Sequence, residues 1–258
     1  MITNPAKAKL RAGEPLVGVF VSVESPATVE ILALSGVDYI MVDGEHTPVT
    51  PWEAVSLFRA ADAQGVSAFA RIGENSQQVI AKFMDAGCAG VMMPMVNSGA
   101  DAKAVVDAVK YPPQGRRGLA GVRANDWGMG MGMGEYVAEA NERSMVMVQI
   151  ETNEGIANAD EIINTPGVDA VFLGPSDLSV AFGVPGQTKH PKVQEAIESL
   201  TKRINARGLA AGTIARDPAE YAYWRDRGVQ ILMTGANAFL ASAARAYIEG
   251  ARAYEEGR

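Results

Sequence analysis

The sequence predicts a closed (β/α)8 barrel, and three observations carry that prediction. First, one phrase recurs: a glycine, a few variable residues, an apolar run, then a small or acidic residue. It appears as Gly36-VDYIMV-Asp43, Gly87-CAGVMM-Pro94, Gly167-VDAVFL-Gly174 and Gly228-VQILMT-Gly235. Each glycine fits the end of a helix and each apolar run fits a strand buried on both faces. Second, four further apolar runs, at residues 16–21, 68–71, 145–150 and 209–213, bring the strands to eight. Third, amphipathic stretches alternate with them, at 26–34, 51–63, 76–85, 100–109, 192–206 and 218–227. Strands alternating with helices imply right-handed crossovers and a parallel sheet. Eight such units in 258 residues suit a single barrel domain over residues 1–258, with an open doubly wound sheet as the alternative.

Composition narrows the function. A net charge of −7 argues against a nucleic-acid or anionic-membrane surface. Cys88 is the sole cysteine, so no intrachain disulfide forms, and one Cys with two His makes no zinc site unless carboxylates complete it. No run approaches the roughly 18 apolar residues of a membrane span, and the first residues lack the apolar core of a signal peptide. The expectation is a soluble, cytoplasmic enzyme. Residues 111–134, YPPQGRRGLAGVRANDWGMGMGMG, break the rhythm. Their GxGxGxG run follows no strand and lacks the dinucleotide spacing, so it reads as a Met-lined flap or interface loop.

Polar groups collect where the strands end. Strand two ends in Asp43-Gly44-Glu45-His46, strand three in Arg71, strand five in Gln149 and Glu151, and strand six in Gly174-Pro175-Ser176-Asp177. In a parallel barrel all these ends share one rim, the rim that holds active sites. Each alone is explained as a polar strand end, and Ser176 and Asp177 also suit a helix N-terminus. Together, Glu151 and Asp177 read as oxygen ligands for Mg2+ or Mn2+. Such an ion, with positions left open, suits a 2-oxo acid whose carboxylate and keto oxygens chelate it and whose enolate it stabilises. Arg71 is a cation for the enolate oxygen. His46 is the imidazole placed to act as base, since His190 lies in the GQTKHP segment between elements.

The motifs VDGEH, the Ala70-Arg71 strand end, YPPQGRRG, VQIET and GVDAVFLGPSDLS occur in this order along nearly the whole chain. In them the sequence resembles the HpcH/HpaI aldolases, metal-dependent pyruvate aldolases of the phosphoenolpyruvate/pyruvate barrel type. The resemblance implies that Glu151 and Asp177 bind the metal (Mg2+ or Mn2+, with Co2+ a third candidate). It implies that Arg71 meets the keto oxygen of pyruvate with Gln149 beside it, and that Gly174, Pro175, Ser176 and Asp177 receive the pyruvate carboxylate. His46 would act as base through a bound water, linked to Asp85 across a subunit boundary, and Arg123 would reach a neighbouring site. It further implies a homotrimer or homohexamer in which the last helix, about 236–255, is exchanged between subunits.

The implied reaction is reversible cleavage of a 4-hydroxy-2-oxo acid to pyruvate and an aldehyde. The alternatives are oxaloacetate decarboxylation and citrate-lyase-like action on an acyl-CoA. Phe20 stands where many relatives carry tryptophan, and Thr213 and Asn237 stand at variable strand ends. These departures bear on the aldehyde, not on the pyruvate half.

Overall fold

The computed structural model describes residues 2–258. In chain order the elements are α1 (Pro5–Arg11), β1 (Leu16–Val21), α2 (Pro26–Leu34), β2 (Tyr39–Gly44), α3 (Pro51–Ala63), β3 (Ser67–Ile72), α4 (Gln77–Ala86), β4 (Gly90–Met93) and α5 (Gly99–Val109). After a 3-10 turn (Arg123–Gly128) come α6 (Met133–Arg143), β5 (Met145–Ile150), α7 (Asn153–Ala157), α8 (Ala159–Ile163), β6 (Ala170–Leu173) and α9 (Pro175–Ala181). The chain ends with α10 (Pro191–Ala206), β7 (Ala210–Ile214), α11 (Pro218–Arg225), β8 (Ile231–Gly235) and α12 (Ala236–Glu256). The strands pair in sequence order and β1 pairs with β8, so the parallel sheet closes on itself.

The glycines of the recurrent phrase do what the pattern requires. Gly36, Gly87, Gly167 and Gly228 all have left-handed backbone, with φ between 88° and 106°, a conformation that costs a side chain-bearing residue free energy. Alternate residues of each strand then divide into two cores. Ile40, Val42, Val146 and Val148 face the helices, while Tyr39, Met41, Met145 and Met147 fill the barrel. The Tyr39 ring occupies the place where a side chain on Gly18 would stand, 2.0 Å from its ideal Cβ. The interior is therefore packed, and the inward positions above its last apolar layer form the floor of the rim.

Several boundaries differ from the sequence reading. Strand β7 begins at Ala210, because Leu209 still closes the preceding helix through its N–H to the Ile204 carbonyl. Helix α1 was not expected, although Asn4 caps it and Pro5 opens it, a recognisable start signal. It covers the end where strands begin: Asn4 donates to the Ala89 carbonyl and Ser67 Oγ accepts the Ala6 N–H. The 111–134 segment is not all loop. Helix α6 starts inside the glycine–methionine run at Met133, and Asn125 organises the preceding turn by accepting the Val122 and Gly128 N–H groups. Because this segment joins the end of α5 to α6 and β5, it lies at the strand-start end, away from the strand-end rim.

That end also buries two lysines. Lys7 and Lys110 both donate to the Ser144 carbonyl, at 2.6 and 2.7 Å, and Lys7 also meets Asp169 at 2.8 Å. Burial, reinforced by the Lys7 charge, lowers the Lys110 ammonium to about 8 from 10.5. A lysine whose folded pKa is depressed binds fewer protons folded than unfolded, so stability rises with pH across that interval. The cost of charging Lys110 should be full below about pH 8 and be relieved toward 10.5. Denaturant titrations of the wild type and Lys110→Met should therefore show the difference moving in favour of the wild type, by at most about 3 kcal/mol, as pH rises through this window. A difference independent of pH would contradict this reading.

Candidate active site

Adjacent strands β2 and β3 place Asp43 and Arg71 in direct register. Both point into the barrel, and there they form a two-pronged ion pair. Arg71 Nε donates to Asp43 Oδ1 at 2.9 Å and Nη2 to Oδ2 at 2.7 Å. The remaining guanidinium nitrogen, Nη1, lies 3.2 Å from Glu45, and the Phe20 ring packs under the group at 4.5 Å. Asp43 also accepts the N–H groups of Glu45 and His46, and the Thr47 hydroxyl donates to its backbone carbonyl. The DGEHT turn is thus wrapped around one carboxylate. Burial pushes the Asp43 carboxyl up, but the Arg71 bond and charge, with the two backbone N–H groups, outweigh it and hold the group below its ordinary value.

Across the mouth stands Glu151, 2% exposed. The Met95 N–H donates to its Oε1 at 2.9 Å and the Gln149 amide donates to Oε2. Met95 supplies that N–H from a left-handed backbone, φ 53°, unusual for a residue with a side chain. Gly174 makes the packing possible, since a Cβ there would stand 2.4 Å from the Glu151 carboxylate and 2.8 Å from the Gln149 amide nitrogen. The other amide atom of Gln149, Oε1, is buried without a partner among the described residues. Burial raises the Glu151 carboxyl to about 7, and the charges of Asp177 and Glu45 add to the effect against the Met95 and Gln149 bonds. Glu45 is raised too, first by burial, with Asp43 and Asp177 adding to it against Arg71 and His46.

Asp177 falls in the first turn of α9 but does not cap it. Gly174 holds the cap position and no side chain bonds there, so the capping role expected for Asp177 is not the one it plays. Its carboxylate instead belongs electrostatically with Glu151 and Glu45. His46 is mostly exposed, with Nε2 3.6 Å from Glu45. Phe20, Asp43, His46, Arg71, Gln149 and Asp177 line a single cavity of about 270 Å3, closed on one side by the Gly174-Pro175-Ser176 turn.

Two residues nominated from the sequence lie elsewhere in the chain. Asp85, near the end of α4, pairs with Arg117 at 2.7 Å. Arg123 pairs with Asp62 at the end of α3 and donates to the Ala86 carbonyl at 3.0 Å. Both sit where helices end and strands begin, the opposite end of the barrel from His46. Conversely, Asp43 and Glu45 were seen as strand-end residues but given no role. The signal that finds them is the two-residue period, which puts 43 and 45 on the same inward face as Tyr39 and Met41.

Among the described residues, no three acidic, His or Cys side chains converge as a ready-made metal cage. The donors nonetheless fit a hard cation. Glu151, Asp177 and Glu45 offer only oxygens, burial first and their mutual repulsion second raise the Glu151 and Glu45 carboxyls, and an unpartnered amide oxygen adjoins them. Mutual repulsion of this kind is what a bound positive charge relieves.

The HpcH/HpaI aldolase/citrate lyase family model matches residues 16–244. A 2-keto-3-deoxy-L-rhamnonate aldolase of Salmonella gallinarum is 38% identical over 221 residues, 85% of this chain and 82% of that protein. A hydroxypyruvate/pyruvate aldolase of Sagittula stellata is also 38% identical, over 89% of this chain and 90% of its own. The crystal structure of an HpcH/HpaI aldolase from Desulfitobacterium hafniense superposes with a TM-score of 0.91 at 34% identity, covering 95% of this chain and 96% of that one. A match running from the first strand of the barrel into its last helix, with aldolases of this identity on either side, leaves one assignment: the chain is a carbon–carbon lyase and belongs to the HpcH/HpaI aldolase/citrate lyase family.

Proposed function

We propose that the chain cleaves 4-hydroxy-2-oxo acids reversibly to pyruvate and an aldehyde at the cavity between Arg71 and Glu151. The observation that carries this is that a fixed guanidinium, Arg71, and the Asp177 carboxylate line one small cavity, with Glu151 and Glu45 sharing the electrostatic surroundings of Asp177. Glu151 and Asp177 would hold a divalent cation, Mg2+ or Mn2+, with Co2+ the third candidate. When bound, it supplies positive charge to the carboxylate and keto oxygens of the substrate.

The chain's own groups account for the rest. Asp43 holds the Arg71 guanidinium in one orientation, and Arg71 presents its charge to the keto oxygen where the enolate forms. Gln149 Oε1 accepts a hydrogen bond from the bound substrate or its water. The first-turn N–H groups of Ser176 and Asp177, which have no intrahelical partner by position, take the carboxylate beside Gly174 and Pro175. In cleavage, His46 removes the proton of the C4 hydroxyl, whose oxygen becomes the aldehyde carbonyl. The electrons of the C3–C4 bond pass to C2 and on to the keto oxygen. The proton held by His46 is then returned, directly or through water, to C3 of the enolate, which regenerates the keto group as pyruvate and frees the base. The named relatives act on a 2-keto-3-deoxy sugar acid and on hydroxypyruvate or pyruvate, which supports 2-oxo acids as the substrate class.

We further propose that residues 1–258 act as one barrel domain assembled as a homotrimer or homohexamer. Helix α12 supports this: Phe239, Leu240, Tyr247 and Ile248 are exposed along it, and an apolar groove over β1 and β8, lined by Val17, Val37, Tyr221 and Leu232, lies beside its first turns. Exchange of α12 between subunits would cover both surfaces. Asp85 and Arg123 would then take part in catalysis only at a neighbouring subunit's mouth, since their own lies at the other end of the barrel.

Pyruvate in D2O with Mg2+ or Mn2+ should exchange its C3 protons, read by proton NMR, and a chelator should stop the exchange. Glu151→Ala and Asp177→Ala should each abolish the metal-supported rate, and His46→Ala should slow it on the order of a hundredfold. Absence of exchange in the wild type would sink the proposal. Light scattering should find a trimer or hexamer, and removal of residues 238–258 should leave smaller species of lower Tm. Unchanged assembly after truncation would contradict exchange of the helix.

A further inference from the structure

One wall of the mouth cavity is an aromatic ring that the proposed chemistry leaves without a task. Phe20 is the inward residue near the end of β1, paired with Met41 on β2 and Gly235 on β8. It belongs to the core inside the barrel, is 8% exposed, and still lines the cavity together with Arg71. Arg71 Cζ stands over its ring, 4.5 Å from the centre. At that distance a guanidinium is attracted by the electron-rich face of an aromatic ring, and the attraction grows where water is excluded. Little water reaches Arg71, whose side chain is 11% exposed.

The carboxylates account for only part of what Arg71 needs. Asp43 takes Nε and Nη2, and Glu45 lies 3.2 Å from Nη1. Two-pronged hydrogen bonds run in the plane of a guanidinium, so they leave its faces uncovered. A water on such a face would screen the charge, and a third carboxylate there would cancel it. A ring face does neither: it holds the cation while leaving its charge for an oxygen on which negative charge develops. An aliphatic side chain of similar size would fill the space but present no negative face.

We propose that Phe20 is a positioning residue for the pyruvate half of the site: its ring face seats the Arg71 guanidinium and keeps water off it, so that Arg71 meets the enolate oxygen unscreened. The proposal rests on the aldolase reading above. It assigns to pyruvate a residue that the sequence alone placed on the aldehyde side. The contact matters most where the enolate forms, so losing it lowers kcat for enolate formation and leaves pyruvate KM nearly unchanged. The loss appears with no aldehyde present.

The test is deuterium exchange into C3 of pyruvate by the full chain with Mg2+, read by proton NMR without aldehyde. Phenylalanines carrying increasing numbers of fluorines, placed at position 20, keep the shape of the ring and drain its negative face. The exchange kcat should fall stepwise along the series, by about tenfold at the most fluorinated ring, with KM nearly constant. Phe20→Leu should lose a similar factor, and Phe20→Trp should keep the wild-type rate. Circular dichroism reports whether each variant is folded, and the fluorinated series decides alone should the leucine variant fail. A rate indifferent to fluorination would overturn the proposal, as would equal losses in Phe20→Leu and Phe20→Trp. Normal exchange with loss confined to aldehyde addition would make the ring a wall of the aldehyde pocket and overturn it too. Wild-type exchange separates the two claims: exchange insensitive to the ring face removes the role of Phe20 alone, whereas no exchange removes the aldolase reading with it.

Discussion

Everything at the rim depends on the ion pair between Asp43 and Arg71. An arginine pointing into the mouth of a packed barrel is costly to desolvate, and only a partner of matching shape makes the position tolerable. Asp43 is that partner because strands β2 and β3 pair these two residues directly. Its two oxygens take two guanidinium nitrogens, and Glu45 stands by the third. The arrangement leaves Arg71 one orientation. The same carboxylate gathers the Glu45 and His46 N–H groups, so the turn carrying the proposed base is set by the group that sets the cation. Removing either member would leave the other charged, partly buried and free to distort the turn.

The opposite wall is organised by repulsion. Glu151 is fixed by a strained backbone N–H at Met95 and by Gln149, and it shares its surroundings with Asp177 and Glu45. Carboxylates held in this way, against their own preference to protonate, are poised for a positive charge. The two ends of the barrel thus divide the work. The strand-end rim accumulates like charges and an unpartnered acceptor, Gln149 Oε1, whereas the strand-start end is neutralised by pairs such as Lys7 with Asp169, Asp85 with Arg117 and Arg123 with Asp62.

Much of this was legible in the sequence, for identifiable reasons. The repeated glycine phrase marks helix ends and strand starts because left-handed backbone favours glycine, and the barrel follows from the count and alternation. Gln149, Glu151, Arg71 and Asp177 were legible as strand-end groups. Asp43 and Glu45 were not assigned roles: the two-residue period puts them on the inward face, but that Asp43 meets Arg71 comes from register with the neighbouring strand, which no local pattern reports. The capping explanation for Asp177 was plausible from residue type alone, and only the cap at Gly174 removes it. Asp85 and Arg123 came from resemblance, and one chain does not bring them to the mouth. Helix α1 was signalled by Asn4-Pro5 and overlooked.

The central claim is that Glu151 and Asp177 form a divalent-cation site that pyruvate completes. Calorimetric titration of the purified chain with Mn2+, in the presence and absence of pyruvate, measures it most directly. The account predicts one ion per chain, bound more tightly when pyruvate is present. No saturable binding, or binding indifferent to pyruvate, would contradict it.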